Sequence, residues 1–343
     1  MMRRLKLARY IKMFPFVTEH IRKKGITKTI KKSLDYCFCS PPKLPSVLSQ
    51  LVIEVTSYCN LRCPGCLRSI KNEEGRQLNR HMSNDEFSFI VEHCLPAKTL
   101  STQGIGEPTM HPHLQELIKI ASQSGKFEDI IINSNGLFRP PDYYGELLQA
   151  GLSGISISID SLDDKKLGVL RKGSNKEALL KCISTLHKAY PSKVSVRTVV
   201  SRMNLKELPM LFAELNKIGH LHVDLQPFVD YGDLGDWVLS PSERVHCIHE
   251  CEAISEECPN ISLSVSAFEP ALLGCRMPWM SPAITVDGFL SPCCIMMDSN
   301  VIQLGNVLKH PFNTIWASVE LEEFRKNFFY NYPSFCNQCP YKV

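Results

Sequence analysis

The chain has 343 residues, 44% hydrophobic and 22% charged, with a formal charge of +4. These are the proportions of an ordinary globular protein, long enough for one large domain and a smaller one. No apolar run of about 7–15 residues follows the basic N-terminus, and no stretch of about 18 uncharged apolar residues occurs, so the sequence reads as cytoplasmic, with neither a secretory signal nor a membrane span.

The charge is uneven. Residues 1–32 hold eleven Lys/Arg and one acid, Glu19, so a basic arm precedes a mildly acidic body. Within residues 1–48, Leu7, Ile11, Phe14 and Ile21 fall near helical spacing with basic residues between them. Two readings fit: a basic helix contacting a membrane surface or an acidic partner, or a helix docked on the body with its charged face in water. Pro41, Pro42 and Pro45 then break the chain.

Short apolar, β-branched runs follow at residues 51–56, 99–103, 129–134, 155–160, 194–200 and 222–226. Helical patterns lie between them. One starts at Ser83, with Glu86 three residues on as a capping box and Phe87, Ile90, Val91 and Cys94 as its buried stripe. Others cover 113–123, 176–189 and 205–218. Six strands alternating with helices predict an α/β fold with a parallel sheet and right-handed crossovers. Six units are too few for a closed eight-fold barrel; a partial barrel or a doubly wound sheet fits. Beyond Pro227 the rhythm breaks. Residues 228–274 read as irregular apart from a helix near Ser242, and residues 275–343 are rich in Cys, Pro and Trp. The expected division is a basic arm (1–48), a core domain (49–240) and a small cysteine-rich domain (241–343).

Fifteen cysteines in a cytoplasmic chain point to metal or redox chemistry rather than to disulfides. Cys59, Cys63 and Cys66 lie within eight residues, directly after the first strand, at the sheet edge where α/β folds place their sites. Three thiolates ligate three irons of a 4Fe–4S cube and leave the fourth open. Zinc is the other reading; it wants a fourth ligand, which the Cys336/Cys339 pair would supply. Gly104-Ile105-Gly106-Glu107-Pro108 follows the second strand, Ser134-Asn135-Gly136 ends the third, and Ile157-Ser158-Ile159-Asp160-Ser161 ends the fourth. Glycines allow close approach of backbone to a ligand, and a carboxylate suits an ammonium group. Each segment also reads as a plain turn.

Taken together, the C-x-x-x-C-x-x-C loop and these strand-end segments resemble the radical S-adenosylmethionine (radical SAM) superfamily. The resemblance covers roughly residues 51–343. It implies a partial (β/α)6 TIM-like barrel. It implies a 4Fe–4S cluster on Cys59, Cys63 and Cys66 whose open iron chelates SAM, with reductive cleavage giving a 5′-deoxyadenosyl radical that takes a hydrogen atom from a substrate carbon. Gly104, Gly106 and Glu107 fall where the family meets the SAM amino group. Asn135, Ser158 and Asp160 fall where polar groups reach its ribose or carboxylate. Arg197 reads as a contact to the carboxylate or as a surface charge. Gly65 departs from the pattern: many relatives carry an aromatic residue there that packs on adenine, so that contact must come from elsewhere.

Cys275, Cys293, Cys336 and Cys339 resemble the family's C-terminal SPASM extension in its shortened, twitch form, which implies one auxiliary 4Fe–4S cluster; the chain ends four residues after Cys339. Zinc on four cysteines is the other reading there, and Cys294 competes as a ligand. Residues 286–289 read as a hairpin turn. Cys247 and Cys251, at i,i+4, and Cys258 read as half-buried thiols; Cys37, Cys39, Cys94 and Cys182 read as structural. His111 and His113 read as loop and cap residues.

The resemblance implies a SAM-dependent oxidoreductase fed by a flavodoxin- or ferredoxin-type electron donor. A small polar metabolite such as a sugar or aminocyclitol is the first substrate class, and a peptide the second. A zinc and nucleic-acid-binding protein is the reading of another class; with few aromatic residues placed for stacking, no nucleic acid is expected. No catalytic acid or base is identifiable.

Overall fold

A computed structural model describes residues 42–268, 275–337 and 339–340, with Thr18, Arg22 and Ile26. Most of the basic arm, Cys37 and Cys39 among it, lies outside the described residues. Arg22 pairs with Glu252 at 2.6 Å.

Among the described residues nine strands form one open sheet in the order β7-β6-β5-β4-β3-β2-β1-β8-β9. Seven are Leu48–Ile53 (β1), Ala97–Ser101 (β2), Phe127–Ser134 (β3), Gly154–Ser158 (β4), Val194–Val200 (β5), Leu221–Pro227 (β6) and Ile261–Ser264 (β7), each parallel to its neighbour. Ala283–Ile284 (β8) pairs parallel with β1, and Leu290–Ser291 (β9) returns antiparallel. The helices are Leu67–Glu73 (α1), Asn84–His93 (α2), Leu114–Gln123 (α3), Pro141–Gln149 (α4), Asp164–Leu170 (α5), Lys176–Ala189 (α6), Leu208–Ile218 (α7), Pro241–Glu257 (α8), Met277–Met280 (α9), Phe312–Trp316 (α10) and Val319–Tyr330 (α11).

The six expected strands are present, and the parallel α/β architecture matches an open, partial barrel. Some elements differ from the sequence reading. Residues 228–274 hold the expected helix near Ser242, α8, and in addition a strand, β7, that extends the sheet past β6. Helices α1, α4 and α5 also went unread, because α1 and α5 are only seven residues long and α4 starts within a Pro-Pro pair. A Pro at the first helical position is well placed for a helix, since its missing N–H has no partner there anyway.

The strands present two unlike faces. One face carries Leu51 and Ile53 of β1, Leu100 of β2, Ile130 and Ile132 of β3, Ile155 and Ile157 of β4 and Val194 and Val196 of β5, packed in one core with helix residues such as Phe87, Ile90, Leu117 and Phe212. Each such side chain contributes about 1.5–3 kcal/mol by leaving water. On the other face alternation places Ser101, Asn133, Ser156, Ser158, Arg197, Asp224 and Gln226. The sheet curves around this polar face: Arg197 Nη1 on β5 donates to Gln103 Oε1 just past β2, at 3.3 Å, across two intervening strands.

Candidate functional site

The loop between β1 and α1 carries Cys59, Cys63 and Cys66. The Cys66 amide donates to Cys63 O at 3.1 Å, and Cys66 O accepts from Ser69 N and Ile70 N, so the third cysteine opens α1. The loop is braced from three others. Glu107 N, after β2, donates to Tyr58 O at 2.7 Å; Asn135 Nδ2, after β3, donates to Asn60 Oδ1 at 2.8 Å; Lys172 O, after α5, accepts from Arg62 N at 2.9 Å. Gly106 is required by this closeness: a Cβ there would lie 2.8 Å from Tyr58 O and closer still to Thr56 O.

Burial pushes the Cys59 thiol up to about 11 and Cys63 up to about 12, and raises Cys66 too. For Cys59 and Cys63 the neighbouring sulfurs add to the rise, while Arg171 opposes it at Cys63 and Cys66. Three converging sulfurs that disfavour one another as thiolates fit a cationic iron centre, which would supply the missing countercharge.

Of the residues expected at SAM, several are engaged within the protein. Glu107, 3% exposed, accepts at Oε2 from Asn135 N (2.7 Å) and at Oε1 from Thr109 N (3.1 Å), Thr109 Oγ1 (2.7 Å) and Ser134 Oγ (2.8 Å). Its carboxylate locks the loop after β2 to the loop after β3. Asn135 Oδ1 accepts from Leu137 N at 3.0 Å. Asp160 accepts from Arg171 Nε at 2.6 Å and from Val199 N at 2.7 Å. Gly104 faces the protein, where a Cβ would lie 2.8 Å from Glu54 Cδ. Ser158 ends β4 on the polar face beside Arg197. Arg197 is not a free surface charge: Nε and Nη2 bind Asp224 Oδ2 at 3.0 and 2.8 Å.

In the C-terminal part, the residue 286–289 turn joins β8 to β9 as expected, with Gly288 at φ +84°. Cys339 N donates to Cys336 O at 3.1 Å, closing the C-x-x-C turn, and Cys275 N is held by the Tyr332 hydroxyl at 2.9 Å. Burial pushes the Cys275 thiol up to about 11, and the charges of Cys339 and Cys294 add to it. Cys293 is raised by burial, then by Cys294 and, less strongly, Cys275. Cys294 is raised by burial, with Arg197 opposing and Cys339 adding. Cys275, Cys293, Cys294 and Cys339 thus share one neighbourhood, which suits an iron–sulfur cluster by its donor set. Cys294 also packs beside Ile105 against Val52, Ala283 and Met297. Among the described residues no three His, Cys, Asp or Glu side chains are arranged around a point for a single metal ion. Cys94, Cys182, Cys247, Cys251 and Cys258 are buried. His111 Nε2 lies 2.8 Å from Met82 O, ahead of α2, and its Nδ1 accepts from His113 N within the loop.

Two residues missed from the sequence join the halves. Tyr231, after β6, has its phenol raised by burial and then by Cys294, Cys293, Cys66 and Cys339, so it stands between both cysteine sets. Glu54, at the end of β1, accepts from Ile105 N and Val286 N, each at 2.9 Å. A glutamate just past a buried strand, seven residues before Leu61-Arg62-Cys63, was the only sequence signal for Glu54.

Residues 53–215 match the model of the radical SAM superfamily, and residues 275–340 match that of an iron–sulfur cluster-binding domain, SPASM. A GTP 3′,8-cyclase of Chlorobaculum tepidum is 30% identical over 52% of this chain, and the match spans 54% of that protein's length. A tungsten-containing aldehyde ferredoxin oxidoreductase cofactor-modifying protein of Pyrococcus furiosus is 27% identical over 85% of this chain and 87% of its own. Neither name is that of a sugar or aminocyclitol dehydrogenase, and the first names a cyclisation. Among solved structures, Streptococcus suis SuiB bound to S-adenosylmethionine superposes with a TM-score of 0.66 at 15% identity, covering 82% of this chain and 68% of that one. BtrN in complex with AdoMet and 2-DOIA superposes with a TM-score of 0.53 at 18% identity, covering 85% and 92%. Both are likenesses of fold. Among the described residues no helix is long and apolar enough to cross a membrane.

Proposed function

The chain belongs to the radical SAM superfamily, with a C-terminal SPASM domain, a SAM-binding 4Fe–4S cluster and an auxiliary cluster as its cofactors, and we propose that it abstracts a hydrogen atom from a carbon of a small polar molecule held against the polar face of the sheet. Oxidation of a sugar or aminocyclitol is one member of that class. Ring closure of a nucleotide, for which a relative is named, is another. Hydrogen abstraction is common to both.

One observation carries this reading. The polar face bears Ser158, Arg197, Asp224 and Gln226; the Arg197 charge acts on the Cys294 thiol, and Tyr231, just past β6, feels Cys66 of one cysteine set and Cys293 and Cys339 of the other. When bound, the clusters and SAM supply the reductive cleavage that yields the hydrogen-abstracting 5′-deoxyadenosyl radical. The protein's part is to hold and orient. Asp224 and Gln103 fix the Arg197 guanidinium in place. The Asp160–Arg171 pair sets the wall beside Cys63, and Glu107 and Asn135 keep the cysteine loop closed against the sheet edge. Cys59, Cys63 and Cys66 would hold the SAM-binding cluster, and Cys275, Cys293, Cys336 and Cys339 the auxiliary one. A one-electron carrier of the flavodoxin or ferredoxin kind is the proposed donor.

Anaerobic reconstitution with iron, sulfide, SAM and dithionite tests the reading. The expected result is about eight irons per chain, two cubanes' worth, with 5′-deoxyadenosine produced. Cys63→Ala is expected to produce none while keeping about four irons. Zinc binding without iron uptake, or undiminished 5′-deoxyadenosine from Cys63→Ala, would overturn it.

A further inference from the structure

Gly104-Ile105-Gly106, the stretch after β2 expected to meet the SAM amino group, is held from the C-terminal part of the chain by two separate contacts. The first is to its backbone. β1 pairs with β8, Ile53 beside Ile284, and the Glu54 amide donates to Ile284 O at 2.9 Å. This sets the Glu54 carboxylate, 2% exposed, between two loops: Oε1 accepts from Ile105 N and Oε2 from Val286 N, each at 2.9 Å. Gly104 lies against the same side chain, since a Cβ there would run into Glu54 Cβ and Cγ. The second contact is by side chain. Ile105 and Cys294 both pack on a small apolar cluster of Val52, Ala283 and Met297, separate from the main core. Val286 stands in the turn from β8 to β9, β9 ends at Ser291, and Cys293 and Cys294 follow. Two short routes therefore join Cys293 and Cys294 to Ile105, one through Val286 and Glu54, the other through the apolar cluster.

We propose that Glu54 and Ile105 are positioning residues that make SAM binding depend on the auxiliary-cluster domain. The proposal rests on the reading that SAM binds at the Cys59, Cys63 and Cys66 cluster and that Cys275, Cys293, Cys336 and Cys339 hold a second one. Amide bonds to a carboxylate are strong because the acceptor is charged, and the two oxygens of one rigid group fix the two loops relative to each other. A shift of the turn that carries Val286 moves the carboxylate, and Ile105 N moves with it. With Cys293 fixed as a ligand, the turn and the apolar cluster are fixed too, and the Gly-Ile-Gly backbone stands where SAM meets it. With Cys293 released, that backbone loses its wall. The coupling is reciprocal, so bound SAM steadies the auxiliary domain by the same factor. Its consequence is order: SAM is held, and so exposed to cleavage, chiefly in protein whose auxiliary cluster is in place.

The test is a double-mutant cycle on the reconstituted protein, read as the dissociation constant of labelled SAM with iron content measured in parallel. Cys336→Ala, with Cys339→Ala as a second variant, removes the auxiliary cluster and keeps about four irons; it is expected to weaken SAM binding about 5-fold or more, the lower end of couplings between two sites. In Glu54→Gln the side chain keeps its shape, but it accepts at one oxygen only and turns an N–H toward the other amide, so it holds one loop of the two. It is expected to weaken SAM binding comparably with iron content unchanged, and Cys336→Ala on top of it to add no more than about 2-fold, the scatter of independent sites. Ile105→Ala, which leaves Glu54 untouched, is expected to show the same pattern, and Ile105→Val to bind SAM as the wild type does. SAM binding by Cys336→Ala equal to that of the wild type would overturn the coupling. So would losses that multiply in the double variants, which mark a structural role for each residue alone. Absence of SAM binding by the wild type, or a wild-type content of only about four irons, would overturn the reading on which the coupling rests.

Discussion

Glu54 is a carboxylate carried into the interior with backbone amides as its direct partners. Burial pushes it up to about 7, against the lowering by the Val286 and Ile105 amides and by Lys71. A carboxyl whose folded pKa is raised holds its proton longer in the folded state, so the fold loses stability as pH rises from about 4.5 to about 7 and stays at the lower level above. The difference corresponds to about 3 kcal/mol at 1.36 kcal/mol per pKa unit. Glu54→Gln removes that dependence. Its unfolding free energy relative to wild type should move in the variant's favour by about 3 kcal/mol between pH 4.5 and pH 8, read by urea denaturation of the two proteins side by side. A difference that does not change with pH would refute the raised pKa. Residues such as this explain why the site was only half legible. The cysteines announce themselves by spacing, because a cubane fixes where its ligands stand. Glu107, Asn135 and Asp160 were legible as important, but their partners within the protein depend on which loops meet, and no local pattern states that.

The elements obeyed local rules where those rules are strong. Ser83 caps α2 as a full capping box: its Oγ accepts from Glu86 N at 3.1 Å, and Glu86 Oε2 accepts from Ser83 N at 2.8 Å. Arg80 adds a charge to the same carboxylate, and Phe87, Ile90 and Val91 are buried as the stripe required. Ser83→Ala should cost about 1 kcal/mol, the usual worth of such a cap, seen as a lower urea midpoint at unchanged slope; no change in midpoint would show that tertiary packing alone sets the helix start. α6 and β5 likewise lie where periodicity put them. β7 did not, because a four-residue strand on the sheet's edge, burying Ile261 and exposing Ser262, has too few alternations to register.

At the scale of the whole molecule, the two cysteine sets are tied by one buried acid. Asp298, 2% exposed, lies five residues after Cys293. Its carboxylate binds Lys71 Nζ at 3.3 Å and Arg76 Nη1 at 2.7 Å. Lys71 sits on α1, the helix that Cys66 opens, and is itself nearly sealed. Burial alone would raise the Asp298 carboxyl; the Arg76 hydrogen bond, the Asn300 amide and Lys71 outweigh it and hold the carboxyl below its usual range. The pair's contribution is therefore present at neutral pH and is lost as pH falls through the lowered pKa. A buried pair is costly to break from one side, because the remaining charge keeps its desolvation penalty without its partner. Asp298→Ala should thus destabilise the protein by about 3–5 kcal/mol, measured by chemical denaturation at neutral pH. Replacing both charges by apolar groups, in Lys71→Met/Asp298→Leu, leaves no buried charge at that contact and should recover most of the loss. If the double variant is as unstable as Asp298→Ala, the contact acts through shape and not through paired charge, and the link between α1 and the loop after Cys293 is one of packing.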